Sequence, residues 1–67
     1  MSIGKNIRER RRARGLTQEQ LSEEIGTSRQ HLGKVEIGKN GLSVEKLVKI
    51  ARVLGCTVDD LCRENEN

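Results

Sequence analysis

Apolar residues in this chain run at most two together, as in Leu47-Val48 and Val53-Leu54, and recur at three-to-four spacing instead of alternating. That period belongs to amphipathic helices packed on one face. Cap residues and glycines cut the pattern into five segments. Ser2 opens a first helix with Ile3 and Ile7 inward and Ala13 completing a thin inner face, and Gly15 stops it in the left-handed conformation. Thr17 opens a second, with Gln20 at capping-box distance and Leu21 and Ile25 forming the stripe up to Gly26. Thr27 with Gln30 repeats the device for a third helix carrying Leu32 and Val35, ended by Gly38. Ser43 caps a fourth, with Leu47, Ile50, Ala51 and Leu54 inward and Gly55 as its stop, and Thr57 with Asp60 starts a short fifth holding Val58 and Leu61. The expected fold is all-α, a compact five-helix bundle.

Helices two and three are joined only by about Gly26 and Thr27, too short a link for a long antiparallel hairpin. Two helices of about eight residues joined by a glycine-containing turn of three to four residues form a helix-turn-helix unit. It is expected at about residues 17–37 of a single domain, 1–67, with a frayed tail at 64–67.

Composition narrows the function. A chain of 67 residues, without aromatic residues or proline and 34% charged, has little interior beyond its own packing, so an enclosed substrate cavity of roughly 300–1,000 Å³ is not expected. No run approaches the about 20 apolar residues of a bilayer span, and no signal-peptide core precedes the first helix, so no membrane partner is expected. Two cysteines and one histidine make neither a disulfide framework nor a zinc set, so no metal or cofactor is expected and a reducing cytoplasm is the expected compartment. Nothing pairs a nucleophile with a base or forms a phosphate loop, which argues against an enzyme.

Net charge is +3, and it is unevenly spread: Lys5, Arg8, Arg10, Arg11, Arg12 and Arg14 face only Glu9 in the first fourteen residues, whereas Asp59, Asp60, Glu64 and Glu66 outnumber Arg63 at the other end. The basic front fits either a polyanion binder or a solvated helix face whose cations favour the helix C-terminus.

The stretch Thr17 to Lys39, TQEQLSEEIGTSRQHLGKVEIGK, resembles the helix-turn-helix of the phage repressor and Cro family, the XRE-like transcriptional regulators. The flanks extend the likeness: RARGLTQ at 12–18 is similar to the family's entry into helix two and KIARVLG at 49–55 to its fourth helix, so about 60 of the 67 residues are covered. The resemblance implies a lambda repressor-like DNA-binding domain of bacterial or phage origin.

The resemblance places Ser28, Arg29 and Gln30 at the start of the recognition helix, against base edges in the major groove. Arg29 can fork onto guanine O6 and N7 and Gln30 onto adenine N6 and N7, although Gln30 also serves the Thr27 cap. Lys34, one turn beyond Gln30, reaches a base or a phosphate. Gln18 would hold a phosphate at the N-terminus of helix two, Lys39 and Asn40 would clamp the backbone after helix three, and His31, rotated by about 100° from the reading residues, is a phosphate donor and not a metal ligand. The resemblance also makes Arg11 and Glu36 a structural ion pair tying helix one to the recognition helix.

Four features depart from the family pattern. Arg10 replaces a leucine. Gly33 sits inside the recognition helix, as a close-approach point or a tolerated defect costing about 1 kcal/mol. Ile37 takes a place often held by a polar phosphate contact. Cys56 and Cys62 take aliphatic positions and are expected to be small buried hydrophobes.

The implied function is a sequence-specific double-stranded DNA-binding transcriptional regulator, most simply a repressor. One recognition helix covers too few base pairs to select a site, so a homodimer on an inverted-repeat operator is expected, weak in solution and joined through Leu42, Val44, Val58 and Cys62. The alternative is the antitoxin of a toxin-antitoxin pair that also regulates its own operon; no separate segment for wrapping a toxin stands out, so it ranks second.

Overall fold

The structure is a computed structural model that describes residues 3–63. It contains α1 (Ile3–Ala13), α2 (Gln18–Ile25), α3 (Arg29–Glu36), α4 (Val44–Leu54) and α5 (Val58–Cys62). Ile7, Leu21, Ile25, Leu32, Val35, Ile50, Ala51, Leu54 and Leu61 form one core, one or more from every helix. α2 packs on both α3 and α4, while α1 lies across α3, α4 and α5. The helix-turn-helix is thus held from behind by α1 and α4, which leaves the outer face of α3 uncovered.

The helix boundaries follow the capping chemistry. Thr17 and Thr57 each form a reciprocal box, with the third helical residue, Gln20 or Asp60, bonding back to the cap N–H. The Thr57 backbone N–H, then its hydroxyl, hold the Asp60 carboxyl below the ordinary carboxylate range. Ser43 caps α4 by accepting from the Lys46 N–H. In the turn between α2 and α3, Gly26 takes φ 77°, which returns the Thr27 N–H to the Ser22 carbonyl at 2.9 Å. A side chain there would be strained, because φ in this region brings Cβ against the following carbonyl.

Several expectations need correction. The N-cap of α3 is Ser28, not Thr27: its hydroxyl accepts from the His31 N–H at 3.0 Å, so the turn is one residue longer and Gln30 takes no part in the cap. The serine wins because the N-cap oxygen must meet the N–H three residues on, and the helix begins only at Arg29. Ala13 is exposed and adds nothing to the inner face of α1. Polar and small residues fill that face instead: Gly4, Asn6 and Arg11 are buried beside Ile7. Cys62 is exposed and Cys56 only half-buried, since Leu61 is the α5 residue that enters the core. The Ser2 cap and the 64–67 tail lie outside the described residues.

Candidate nucleic-acid interface

Successive residues of an α-helix advance by about 100°, so the face of α3 opposite Leu32, Val35 and Glu36 carries Gln30, Gly33, Lys34 and, at its C-cap, Ile37, with Arg29 at the edge of that face, nearly in line with Glu36 two turns on. Arg29, Gln30 and Lys34 are exposed there, and Ile37 keeps 62% of its surface in solvent. A glutamine and a lysine on the uncovered face, with an arginine at its edge, supply the forked and paired donors and acceptors that read base edges. Ser28 is exposed too; its oxygen accepts one N–H in the cap, which leaves its O–H proton and a second lone pair for a ligand.

Behind this face runs a chain of polar contacts. Arg11, buried on α1, donates from Nε to Glu36 Oε2 at 2.7 Å and from Nη2 to Oε1 at 3.0 Å, a bidentate pair, while its Nη1 reaches the Leu16 carbonyl at 2.9 Å. Gln18, the first residue of α2, donates from Nε2 to the same Glu36 Oε1 at 3.0 Å. Its Oε1 then receives a long 3.5 Å contact from Arg29 Nη1. Gly33 faces this amide with no side chain of its own; a Cβ there would lie 3.8 Å from both Gln18 Nε2 and Oε1. Gln18 is therefore occupied within the protein: one amide N–H goes to Glu36 and its oxygen to Arg29, leaving one N–H to offer outward.

The expected phosphate side chains form two groups. Gln18 lines an open groove of about 760 Å³ with Arg11, Arg12, Leu16, Thr17, Glu19 and Arg29. On the other side of α3, exposed Asn40 contacts half-buried His31, Asn40 Nδ2 donating to His31 Nδ1 at 3.4 Å in the tautomer that carries its proton on Nε2. Lys39 is exposed beside them. Among the described residues no three His, Cys, Asp or Glu side chains gather to hold a metal ion. Away from α3, Val44 is 75% exposed on the first turn of α4, Leu42 and Val58 are half-buried, and Cys62 is exposed.

Two structural residues gave no sequence signal. Asn6 Nδ2 donates to the carbonyls of Leu61 at 2.8 Å and Arg63 at 2.7 Å, closing the end of α5 onto α1. Gly4 lets α1 approach the end of α3 so closely that a Cβ would overlap the Val35 carbonyl oxygen. Both depend on tertiary neighbours, which the local pattern around residues 4 and 6 does not contain.

A model of the helix-turn-helix family matches residues 7–61, nearly all of the described chain. The chain belongs to the helix-turn-helix family. Among its curated relatives, the cryptic phage CTXphi transcriptional repressor RstR of Vibrio cholerae is 39% identical over 62 residues, 92% of this chain and 55% of that protein. Among solved structures, the restriction-modification controller protein C.AhdI of Aeromonas hydrophila superposes with a TM-score of 0.82 at 36% identity, covering 88% of this chain and 89% of that one. The P22 c2 repressor, solved in complex with a synthetic operator, superposes with a TM-score of 0.89 at 25% identity over 97% of this chain and 98% of that one. This helix-turn-helix chain spans about half the length of several curated relatives it matches. No helix among its described residues is long and apolar enough to cross a membrane.

Proposed function

We propose that this chain is a sequence-specific double-stranded DNA-binding transcriptional regulator, most simply a repressor acting in the cytoplasm by occupying an operator. Arg29 and Gln30 are its base readers, with Lys34 on a base or phosphate and Ser28 contributing its hydroxyl proton. Gln18, His31, Lys39 and Asn40 position the backbone. The observation that carries this reading is the contact chain from Arg11 through Glu36 and Gln18 to Arg29: a buried ion pair fixes Gln18, and the Gln18 amide lies 3.5 Å from the Arg29 guanidinium and biases its direction at the edge of the uncovered helix face. Restraining the reader before it meets DNA lowers the entropy lost on binding. The restriction-modification controller and the phage repressors among its relatives support the regulatory role.

Replacing Arg29 tests the reading. On a site selected from random duplex DNA, Arg29→Ala is expected to cost about 1–3 kcal/mol and to flatten preference at one base pair. Equal losses on the selected site and on scrambled DNA would remove Arg29 from the readout.

A further inference from the structure

We propose that the groove between the first half of α1 and the end of α3 is a further seat for a DNA phosphate, built by Lys5 and Arg8. It rests on the DNA-binding reading above and extends the footprint to a helix that the reading left as support. The groove encloses about 330 Å³, open to solvent, and is lined by Gly4, Lys5, Arg8, Glu36, Ile37 and Gly38. Lys5 and Arg8, three residues apart on α1, lie on the same side of the helix.

Three observations make this groove an anion site. First, its one lining carboxylate is already committed: Glu36 Oε2 accepts from Arg11 Nε, and Oε1 from both Arg11 Nη2 and Gln18 Nε2. Among the described residues neither Lys5 nor Arg8 stands within ion-pair distance of a carboxylate. Second, Arg8 is half-buried, and its Nε is the one buried side-chain polar atom among the described residues with no hydrogen-bond partner. With its Nε packed out of water the Arg8 guanidinium is held against the protein, so an anion bound at its outer nitrogens orders it at a smaller entropic cost than a freely moving arginine. Third, the close approach at Gly4 sets this pair beside Gly38, directly before Lys39 and Asn40. The cations of α1 thus continue the backbone clamp proposed for that loop.

The test is the salt dependence of DNA binding by the whole chain, read by fluorescence anisotropy on both selected and scrambled duplexes. Each neutralised phosphate adds about −0.9 to the slope of log K against log salt, so Lys5→Gln should flatten it by about 0.9 and Lys5→Gln with Arg8→Gln by about 1.8. Between 50 and 200 mM salt the loss of affinity should then shrink by about threefold and about twelvefold respectively, equally on the two duplexes. Lys49→Gln, on the outward side of α4, should leave the slope unchanged. If Arg8→Gln does not fold, the exposed Lys5 alone decides. A wild-type slope retained by Lys5→Gln would overturn the seat and leave DNA binding by the rest of the interface intact, whereas a wild-type chain that ignores duplex DNA would overturn both. The remaining source of the same chemistry is free phosphate. Inorganic phosphate that raises the melting temperature of the wild type but not of the double variant at fixed ionic strength, with slopes unchanged, would assign the groove to that ion and overturn the duplex claim.

Discussion

Gly4 and Gly33 both lie inside helices, where glycine costs about 1 kcal/mol relative to alanine, yet their surroundings give them opposite consequences. At Gly33 an added Cβ would sit 3.8 Å from the Gln18 amide, ordinary contact distance. Gly33→Ala is therefore expected to stabilise the fold by about 1 kcal/mol in chemical denaturation. At Gly4 the Cβ would overlap the Val35 carbonyl oxygen and lie 2.8 Å from that of Glu36. Both obstacles are backbone and cannot swing aside, so Gly4→Ala should destabilise by about 1–3 kcal/mol, the usual cost of overpacking. A Gly4→Ala variant as stable as wild type would mean that α1 is not seated so tightly on α3. Of these two, only Gly33 stands out in the sequence, because it interrupts a helical stripe whose other residues have clear roles. What it accommodates, the side chain of Gln18 from the neighbouring helix, was not legible in the pattern. The same holds for Gln18 itself: its place at the start of α2 was legible, but its inward commitment to Glu36 follows from how α2 meets α3.

At the scale of elements the caps carried most of the information. Thr17, Ser43 and Thr57 open their helices as the spacing of Ser or Thr to the third helical residue implies. The pattern puts the start of α3 one residue early, because Thr27 and Ser28 are adjacent candidates and choosing between them requires the length of the turn after Gly26. The tie between α1 and α3 is the element-level feature with the largest expected energy. Arg11 and Glu36 have side chains only 8% and 1% exposed, and removing one partner of such a pair costs about 3–5 kcal/mol because the other charge is left buried. Arg11→Met should therefore lower the melting temperature well below that of Arg12→Met, which alters an exposed residue. Adding Glu36→Leu to Arg11→Met should recover part of the loss, since a double apolar replacement strands no charge. Equal melting of Arg11→Met and Arg12→Met would place Arg11 among the surface cations. Arg11 and Glu36 were readable as a pair only through resemblance, because nothing local to residue 11 says which helix it faces.

At the scale of the whole molecule, one copy is 31 Å in its longest dimension, close to the roughly 34–36 Å between the half-sites that paired recognition helices span. Two copies are therefore proposed to sit side by side on one face of the duplex. Leu42, half-buried, and Val44, 75% exposed, are the proposed contact, with Val58 and the exposed Cys62 at its margin. Two copies on an inverted repeat with centres about 10–10.5 base pairs apart should bind cooperatively, and inserting five base pairs between the half-sites should abolish the cooperativity by turning one site to the opposite face. Tolerance of the insertion in a gel-shift titration would argue for independent monomers. Charge and size were legible from composition, whereas α3 as the reading helix was implied by the resemblance and is supported by the outward face that its packing on α1 and α2 leaves exposed. The central claim is that this face reads sequence and does not merely attract phosphate. Its most direct test is a titration of the wild-type chain, at one fixed salt concentration, against a duplex selected from random sequence and a scrambled duplex of the same length and composition. The selected duplex should bind at least about a thousandfold more tightly, as specific sites do over non-specific ones. Equal affinity for the two would contradict the account and leave the chain a polyanion binder.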